Sequence, residues 1–181
     1  MIRGFLKSIA DSITLRIIHT ALFNFFCYLT IGLLLAGLPG FVHFRLGLSP
    51  LWAGVAVSSQ YLATLITRPR AGRMTDVVGP RATVLIGQQA IFLSGLCLIA
   101  AASLESKTMA CFVILLMSRV ILGYGESSVA TGGITWGLGR VGPEYSAQVI
   151  SWSGIASTGQ WQRAPRLVFG SRIGMGLSPV E

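Results

Sequence analysis

Two ionisable residues, Arg119 and Glu126, stand inside an apolar stretch that runs from about residue 109 to residue 137. An ionised arginine at the centre of a bilayer costs at least about 2.5 kcal/mol, so Arg119 is expected to face a partner or a wet cavity. Glu126 lies seven residues further on, about 10 Å along a helix axis. The two therefore share a face without pairing directly, and each needs another partner. Because burial favours the neutral form of a carboxyl group, Glu126 is a candidate proton carrier.

Small residues accompany these two charges. At 3.6 residues per turn, one helix face carries Arg119, Glu126 and four small residues, namely Gly123, Ala130, Gly133 and Gly137. Small residues in membrane helices usually mark close helix–helix contacts, a prediction that also applies to Gly54, Gly87 and Gly95. For Arg119 the alternative is a side chain that extends to the membrane interface.

The ten residues 72–81, GRMTDVVGPR, carry the second chemical signal and lie between two long apolar stretches. Gly72, Asp76, Gly79 and Arg81 predict a tight, basic turn where two membrane helices meet. The alternative is a turn that only fixes the membrane topology, for which three further arginines suffice, namely Arg68, Arg70 and Arg73.

Weaker polar signals lie in the first two apolar stretches. Asn24 and Tyr28 are one helical turn apart and are candidates to line a cavity with Gln60 and Tyr61. Asn and Gln in membrane helices often bridge helices for about 1 kcal/mol or less, so simple helix association is the alternative. The three cysteines fall in separate apolar stretches without ligand spacing, and neither a disulfide framework, a metal site nor a cofactor is expected.

Composition indicates a membrane protein. Hydrophobic residues make up 52% of the chain and charged residues only 11%, whereas a soluble chain has about a quarter of its residues charged. The net charge of +8 comes from basic residues in the gaps between apolar stretches, which favours membrane topology over nucleic acid as the partner. The apolar stretches cover about 17–42, 51–67, 82–104, 109–137 and 145–162. The sequence therefore predicts an all-α polytopic bundle of about five transmembrane helices, the second extending into its polar flanks.

Lysine and arginine set the orientation. The N-terminal segment carries three basic residues and the second connection four, whereas the first and third connections carry only Arg45 and Lys107. Cytoplasmic connections are enriched in Lys and Arg, so the N-terminus and the second connection are predicted to be cytoplasmic.

The segment 72–81 resembles the signature loop between the second and third helices of the major facilitator superfamily of secondary transporters. Gly72, Asp76, Gly79 and Arg81 are in register with this loop. The segment differs from the family pattern at Val77 and Pro80, which occupy positions that are usually basic. The string SRVILGYGESS resembles the arginine-x-x-x-glycine signature of the family's fourth helix, matched by Arg119 and Gly123.

Four longer strings resemble the YhhS/YfcJ-type efflux branch of this superfamily over about residues 17–159. They are FNFFCYLTIGLLLAGLPGFVH, WAGVAVSSQYLATLITRPRAGRMTD, SRVILGYGESS and VISWSGIAS. The resemblance implies a twelve-helix, proton-linked exporter of sugars or drug-like compounds in the bacterial inner membrane. It also implies that Arg119 takes part in proton coupling and that Asp76 engages a helix end in the other half of the transporter.

The chain departs from the family pattern after Gly159. Residues 160–181 place Arg163, Arg166 and Arg172 where the fifth helix should continue, and no further apolar stretch follows. Residues 160–169 can be back-translated into codons that, when read with a shift of one base, encode a glycine-rich apolar segment. We therefore divide the chain into a partial N-terminal transmembrane half, 1–159, and an aberrant, possibly frame-shifted tail, 160–181. Lacking the C-terminal half, the chain is predicted not to transport alone.

Two other functional classes are alternatives to a transporter. A small membrane scaffold or assembly subunit would use its glycine faces to form oligomers. An intramembrane protease would need a serine–histidine or paired-aspartate site at depth, but Asp11 and Asp76 both lie at the membrane edges. The sequence therefore predicts no enzyme. Lipid is the expected environment, with a small molecule and a proton as the partners of the intact transporter.

Overall fold

The structure, a computed structural model, describes residues 2–104 and 107–158, with side chains from Thr14 onward except that of Arg16. Five helices follow one another along the chain: α1 (Ile2–Gly40), α2 (Pro50–Val78), α3 (Pro80–Ser103), α4 (Thr108–Val141) and α5 (Ser146–Thr158). A π-helical turn, Phe41–Arg45, follows α1, and a 3-10 turn, Pro143–Tyr145, precedes α5. These ranges contain no strand, which confirms the predicted all-α class.

Three segments are long and apolar enough to cross a membrane, namely Ile17–Arg45, Pro80–Ser103 and Thr108–Val141. Of the other two predicted spans, α2 has 29 residues but a more polar composition, and α5 has 13 described residues. As expected, α2 extends beyond its apolar stretch into polar flanks. Residues 160–181, the predicted aberrant tail, lie outside the described residues.

Helix α4 is the centre of the bundle and contacts each of the other four helices. Its most extensive contact is with α3, where Gly87 and Gly125 face each other. A Cβ on Gly87 would lie 2.9 Å from the Gly125 carbonyl oxygen, and a Cβ on Gly125 would lie 2.9 Å from that of Gly87. Two helix backbones meet here because neither position carries a side chain.

The prediction that small residues mark helix contacts is therefore confirmed for Gly87. It is wrong for Gly54 and Gly95, where an added Cβ would meet no atom within 4 Å. Composition alone does not separate the two kinds of glycine, since both kinds lie in the same apolar stretches.

The predicted turn at residues 72–81 is largely helical. Helix α2 continues through Gly72 and Asp76 to Val78, and Arg81 already lies in the first turn of α3. The connection is the single residue Gly79, with φ 95° and ψ 153°. The prediction that two helices meet here in a tight turn is confirmed, but the turn is one residue long and not ten. One glycine inside a helix costs only about 1 kcal/mol, so α2 continues past Gly72 until Gly79 and Pro80 end it.

Candidate functional site on the buried face of the fourth helix

Gln60 of α2 supplies the partner that both intramembrane charges were predicted to need. Its Nε2 donates to Glu126 Oε2 over 3.2 Å, and its Oε1 accepts from Arg119 Nη1 over 3.3 Å. An arginine only donates, so the amide oxygen must face Arg119 and the amide nitrogen must face Glu126. One amide thus connects a cation to an acid that cannot reach each other directly.

All three members of this bridge are buried. Arg119 is 1% exposed, Gln60 3% and Glu126 8%. The alternative in which Arg119 extends to the membrane interface is therefore wrong, because the side chain is enclosed between helices. Its Nε and Nη2 have no hydrogen-bond partner among the described residues.

Gly123 lets α2 approach the bridge. It lies on α4 between the two charges, and an added Cβ would be 2.9 Å from Ala63 Cβ and 3.0 Å from the Thr64 backbone nitrogen. A larger residue would push α2 away and lengthen both Gln60 hydrogen bonds. The predicted stripe is confirmed in full, since all its members are buried: Arg119, Gly123, Glu126, Ala130, Gly133 and Gly137.

Thr64 belongs to the same site, although the sequence analysis did not single it out. Its Oγ1 lies 3.0 Å from Glu126 Oε2, 3.1 Å from the Gln60 carbonyl oxygen and 3.3 Å from that of Gly123. The hydroxyl proton serves one of these acceptors at a time. The signal was present in the sequence, because Thr64 follows Gln60 by one helical turn and shares its face.

The remaining candidate cavity residues divide into two groups. Tyr28 of α1 packs against a cluster that includes Leu122 and Val129 of α4, on either side of Glu126 in the sequence. Tyr61 is 42% exposed. Asn24 of α1 is buried against a later part of α4, where its Oδ1 lies 3.1 Å from the position of a Cβ on Gly133. The structure thus brings Gln60 to Glu126 and places Asn24 about two helical turns away along α4.

The segment 72–81 lies at one end of α2 and is attached to α4. The Tyr124 hydroxyl is 3.7 Å from Met74 Sδ, and Thr75 is buried with its hydroxyl donating to the Ala71 carbonyl. Asp76, in contrast, is exposed, and its carboxylate makes no hydrogen bond or ion pair with the described part of the chain. Its side chain is therefore free to contact another element.

A bundle of long apolar helices with a buried, amide-bridged charge pair is typical of polytopic transport proteins. Residues 20–159 match the Major Facilitator Superfamily. Since the match covers most of the chain, the protein belongs to this superfamily of membrane transporters, and the scaffold alternative is not favoured. No solved structure matches the chain significantly.

Several curated proteins are similar to the chain. An uncharacterized MFS-type transporter of Burkholderia pseudomallei (strain 1106a) is 49% identical over 169 residues, which are 93% of this chain and 40% of that protein. A Burkholderia mallei (strain SAVP1) protein of the same description is 48% identical over 169 residues. The uncharacterized MFS-type transporter YhhS of Shigella flexneri is 47% identical over 147 residues, 81% of this chain and 36% of that protein. The chain thus spans about 40% of the length of its relatives.

Proposed function

We propose that the chain is the N-terminal part of a proton-linked exporter of small molecules, with sugars or drug-like compounds as substrates. The observation that carries the proposal is the Gln60 bridge between Arg119 and Glu126. A buried acid that is hydrogen-bonded to Gln60 and Thr64 of a neighbouring helix has the properties of a proton-binding group in a transport pathway.

The bridge offers a physical route from proton binding to conformational change. When ionised, the Glu126 carboxylate only accepts hydrogen bonds, and Gln60 Nε2 donates to it. Protonation neutralises the carboxyl group, and a neutral acid is a weaker acceptor than a carboxylate. Its new O–H can donate to Thr64 Oγ1, which lies 3.0 Å from Oε2. Protonation therefore weakens the Gln60–Glu126 hydrogen bond and loosens the α2–α4 contact.

We further propose that the 181-residue chain does not transport alone. Transport sites of this architecture lie near the midplane between repeated halves, and the chain spans only about 40% of its relatives. The exposed Asp76 supports this proposal, since its carboxylate is available to a helix end in a second half.

The test uses inside-out vesicles that contain either the 181-residue chain or a chimera of residues 1–159 with the remaining sequence of the Burkholderia pseudomallei relative. An imposed pH gradient drives uptake, measured for a labelled pentose and a cationic dye, with a pH-sensitive dye reporting proton release. We expect uptake by the chimera only. Glu126→Gln in the chimera should abolish gradient-driven uptake while leaving substrate counterflow. Transport by the 181-residue chain would contradict the proposal, as would gradient-driven uptake by the Glu126→Gln chimera.

We also propose an inner-membrane location with a cytoplasmic N-terminus, supported by the arginines at the α2–α3 connection. Reporter tags at residue 1 and near residue 75 should both report the cytoplasm. Opposite compartments would contradict this orientation.

For residues 160–181 we propose a change of reading frame after Gly159. Its support is the cluster of arginines where apolar sequence is expected. One observation weighs against a shift at Gly159: the alignment with the Burkholderia pseudomallei relative covers 169 residues and therefore extends at least ten residues into this segment. The gene sequence decides: a shifted frame that encodes further apolar spans supports the proposal, and its absence contradicts it.

A further inference from the structure

The Thr64 hydroxyl lies between α2 and α4 and has acceptors on both helices. Its Oγ1 is 3.1 Å from the Gln60 carbonyl oxygen of its own helix, 3.0 Å from Glu126 Oε2 and 3.3 Å from the Gly123 carbonyl oxygen. The last two acceptors belong to α4. One hydroxyl group therefore contacts the buried acid and the backbone of both helices.

Other threonines of α2 show what a helical threonine ordinarily does. A threonine hydroxyl inside a helix commonly donates to the carbonyl oxygen one turn earlier. Thr67 donates in this way to the Ala63 carbonyl over 2.7 Å, and Thr75 to the Ala71 carbonyl over 2.8 Å. Thr64 differs from both because α4 supplies two further acceptors, and the carboxylate oxygen is the nearest of its three.

A hydroxyl group can serve both charge states of a carboxyl group, because it has one proton to donate and lone pairs to accept. When Glu126 is ionised, donation to Oε2 is favoured, since a hydrogen bond to a charged acceptor is roughly twice as strong as a neutral one. When Glu126 is protonated, its own O–H donates to Oγ1. The Thr64 proton then turns to the carbonyl oxygen of Gln60 or of Gly123, both of which are within hydrogen-bond distance.

We propose that Thr64 is a positioning residue for the proton of Glu126. By turning its single O–H bond, it holds the carboxyl group against α2 in both charge states. Gln60 does not do this alone, because its Nε2 only donates and its Oε1 accepts from Arg119. Protonation weakens the Gln60 contact, and Thr64 then becomes the partner that keeps the carboxyl group in place. This inference rests on the proposed function, in which Glu126 binds the proton.

The test is infrared difference spectroscopy of the purified 181-residue chain in detergent, between alkaline and acid buffer. Protonation of Glu126 adds a carboxyl C=O band, which is identified by its absence from the Glu126→Gln variant. Hydrogen bonding weakens the C=O bond, so a carboxyl group with fewer partners absorbs at higher wavenumber. Thr64→Val keeps the side-chain shape without the hydroxyl group, and we expect it to shift the Glu126 band to higher wavenumber.

Two further variants of Thr64 separate the hydroxyl group from the fold. Thr64→Ser keeps the hydroxyl group and should return the Glu126 band to its parental position, which a loss of packing alone would not do. Thr64→Ala also lacks the hydroxyl group and takes the place of Thr64→Val if that variant fails to fold, as judged by circular dichroism.

Thr67→Val is the matched control. It removes a hydroxyl group from the same helix, and the acceptors of that group, the carbonyl oxygens of Ala63 and Thr64, both belong to α2. The control should leave the Glu126 band in place. An unshifted band in Thr64→Val and Thr64→Ala, an equal shift in Thr67→Val, or no Glu126 band in acid overturns the inference.

The transport assay of the chimera separates this inference from the proposed function. If the chimera transports but its Glu126 band does not respond to Thr64→Val, the role of Thr64 is refuted and the transport proposal stands. If the band responds as expected but the chimera does not transport, Thr64 positions the proton of a buried carboxyl group and the transport proposal fails.

Discussion

Replacing Gln60 with leucine tests whether the amide bridge stabilises the bundle. Leucine keeps a similar side-chain volume but leaves Arg119 Nη1 without its Gln60 acceptor and Glu126 Oε2 without its Gln60 donor. Side-chain hydrogen bonds between membrane helices contribute about 0.6 kcal/mol on average and about 1.7 kcal/mol at most. Two bonds to buried, charged groups therefore predict a loss of about 1–3 kcal/mol in the free energy of unfolding.

The assay is reversible unfolding of the purified chain in mixed micelles with a rising fraction of dodecyl sulfate, followed by circular dichroism. The matched control is Ser59→Ala at the adjacent position, because the Ser59 hydroxyl donates only within its own helix, to Ala56 O over 2.8 Å. We expect the control to change stability by less than about 0.5 kcal/mol.

A double-mutant cycle with Glu126→Gln then isolates the Gln60–Glu126 contact. Because both variants act on one hydrogen bond, the double variant should lose about 0.5–1.5 kcal/mol less than the sum of the single losses. Additive losses, or a Gln60→Leu variant as stable as Ser59→Ala, would show that the bridge does not hold α2 to α4.

Further predictions concern glycines and a serine, each measured by the same unfolding assay. Gly87→Ala should lower the free energy of unfolding by about 1–3 kcal/mol, since its Cβ would meet Val129 at 2.8 Å and the α4 backbone at 2.9 Å, whereas Gly95→Ala on the same helix should raise it by up to about 1 kcal/mol because its Cβ meets no atom. Gly79→Ala should lose about 1–3 kcal/mol because φ 95° with ψ 153° is a conformation adopted almost only by glycine, whereas Gly72→Ala should gain up to about 1 kcal/mol. Ser94→Ala should lower the free energy of unfolding by about 0.6 kcal/mol, because it removes the 2.9 Å hydrogen bond from the Ser94 hydroxyl to the Ser118 carbonyl. Equal effects within either glycine pair would contradict these assignments.

The apolar stretches predicted the helices well, because lipid leaves the backbone no other partner than itself. The same signal did not locate the end of α2. Residues 73–78 combine charge with ordinary helix formers, so composition suggested a turn where the helix continues. Only Gly79 and Pro80 interrupt the helical hydrogen bonds of the backbone, and Gly79 alone lies outside both helices.

The helical period predicted which α4 residues share a buried face, but it did not predict their partners. That Arg119 and Glu126 needed other groups followed from their separation along one helix. Gln60 forms hydrogen bonds with both groups because α2 packs closely against Gly123, and this packing is a property of the tertiary structure. For Gln60 the sequence allowed a cavity role or a helix-bridging role, and its contacts show that it bridges α2 and α4.

The residue types of the bridge are not interchangeable. A carboxylate in place of Gln60 would accept from Arg119 but repel Glu126, and a lysine would donate to Glu126 but repel Arg119. An amide offers an acceptor on one atom and a donor on another, so it can satisfy both charges at 3.3 Å and 3.2 Å. It follows that Gln60→Glu should weaken the bundle when Glu126 is ionised and less so in acid, where a protonated carboxyl can replace the amide. A loss of stability that does not change with pH would contradict this account.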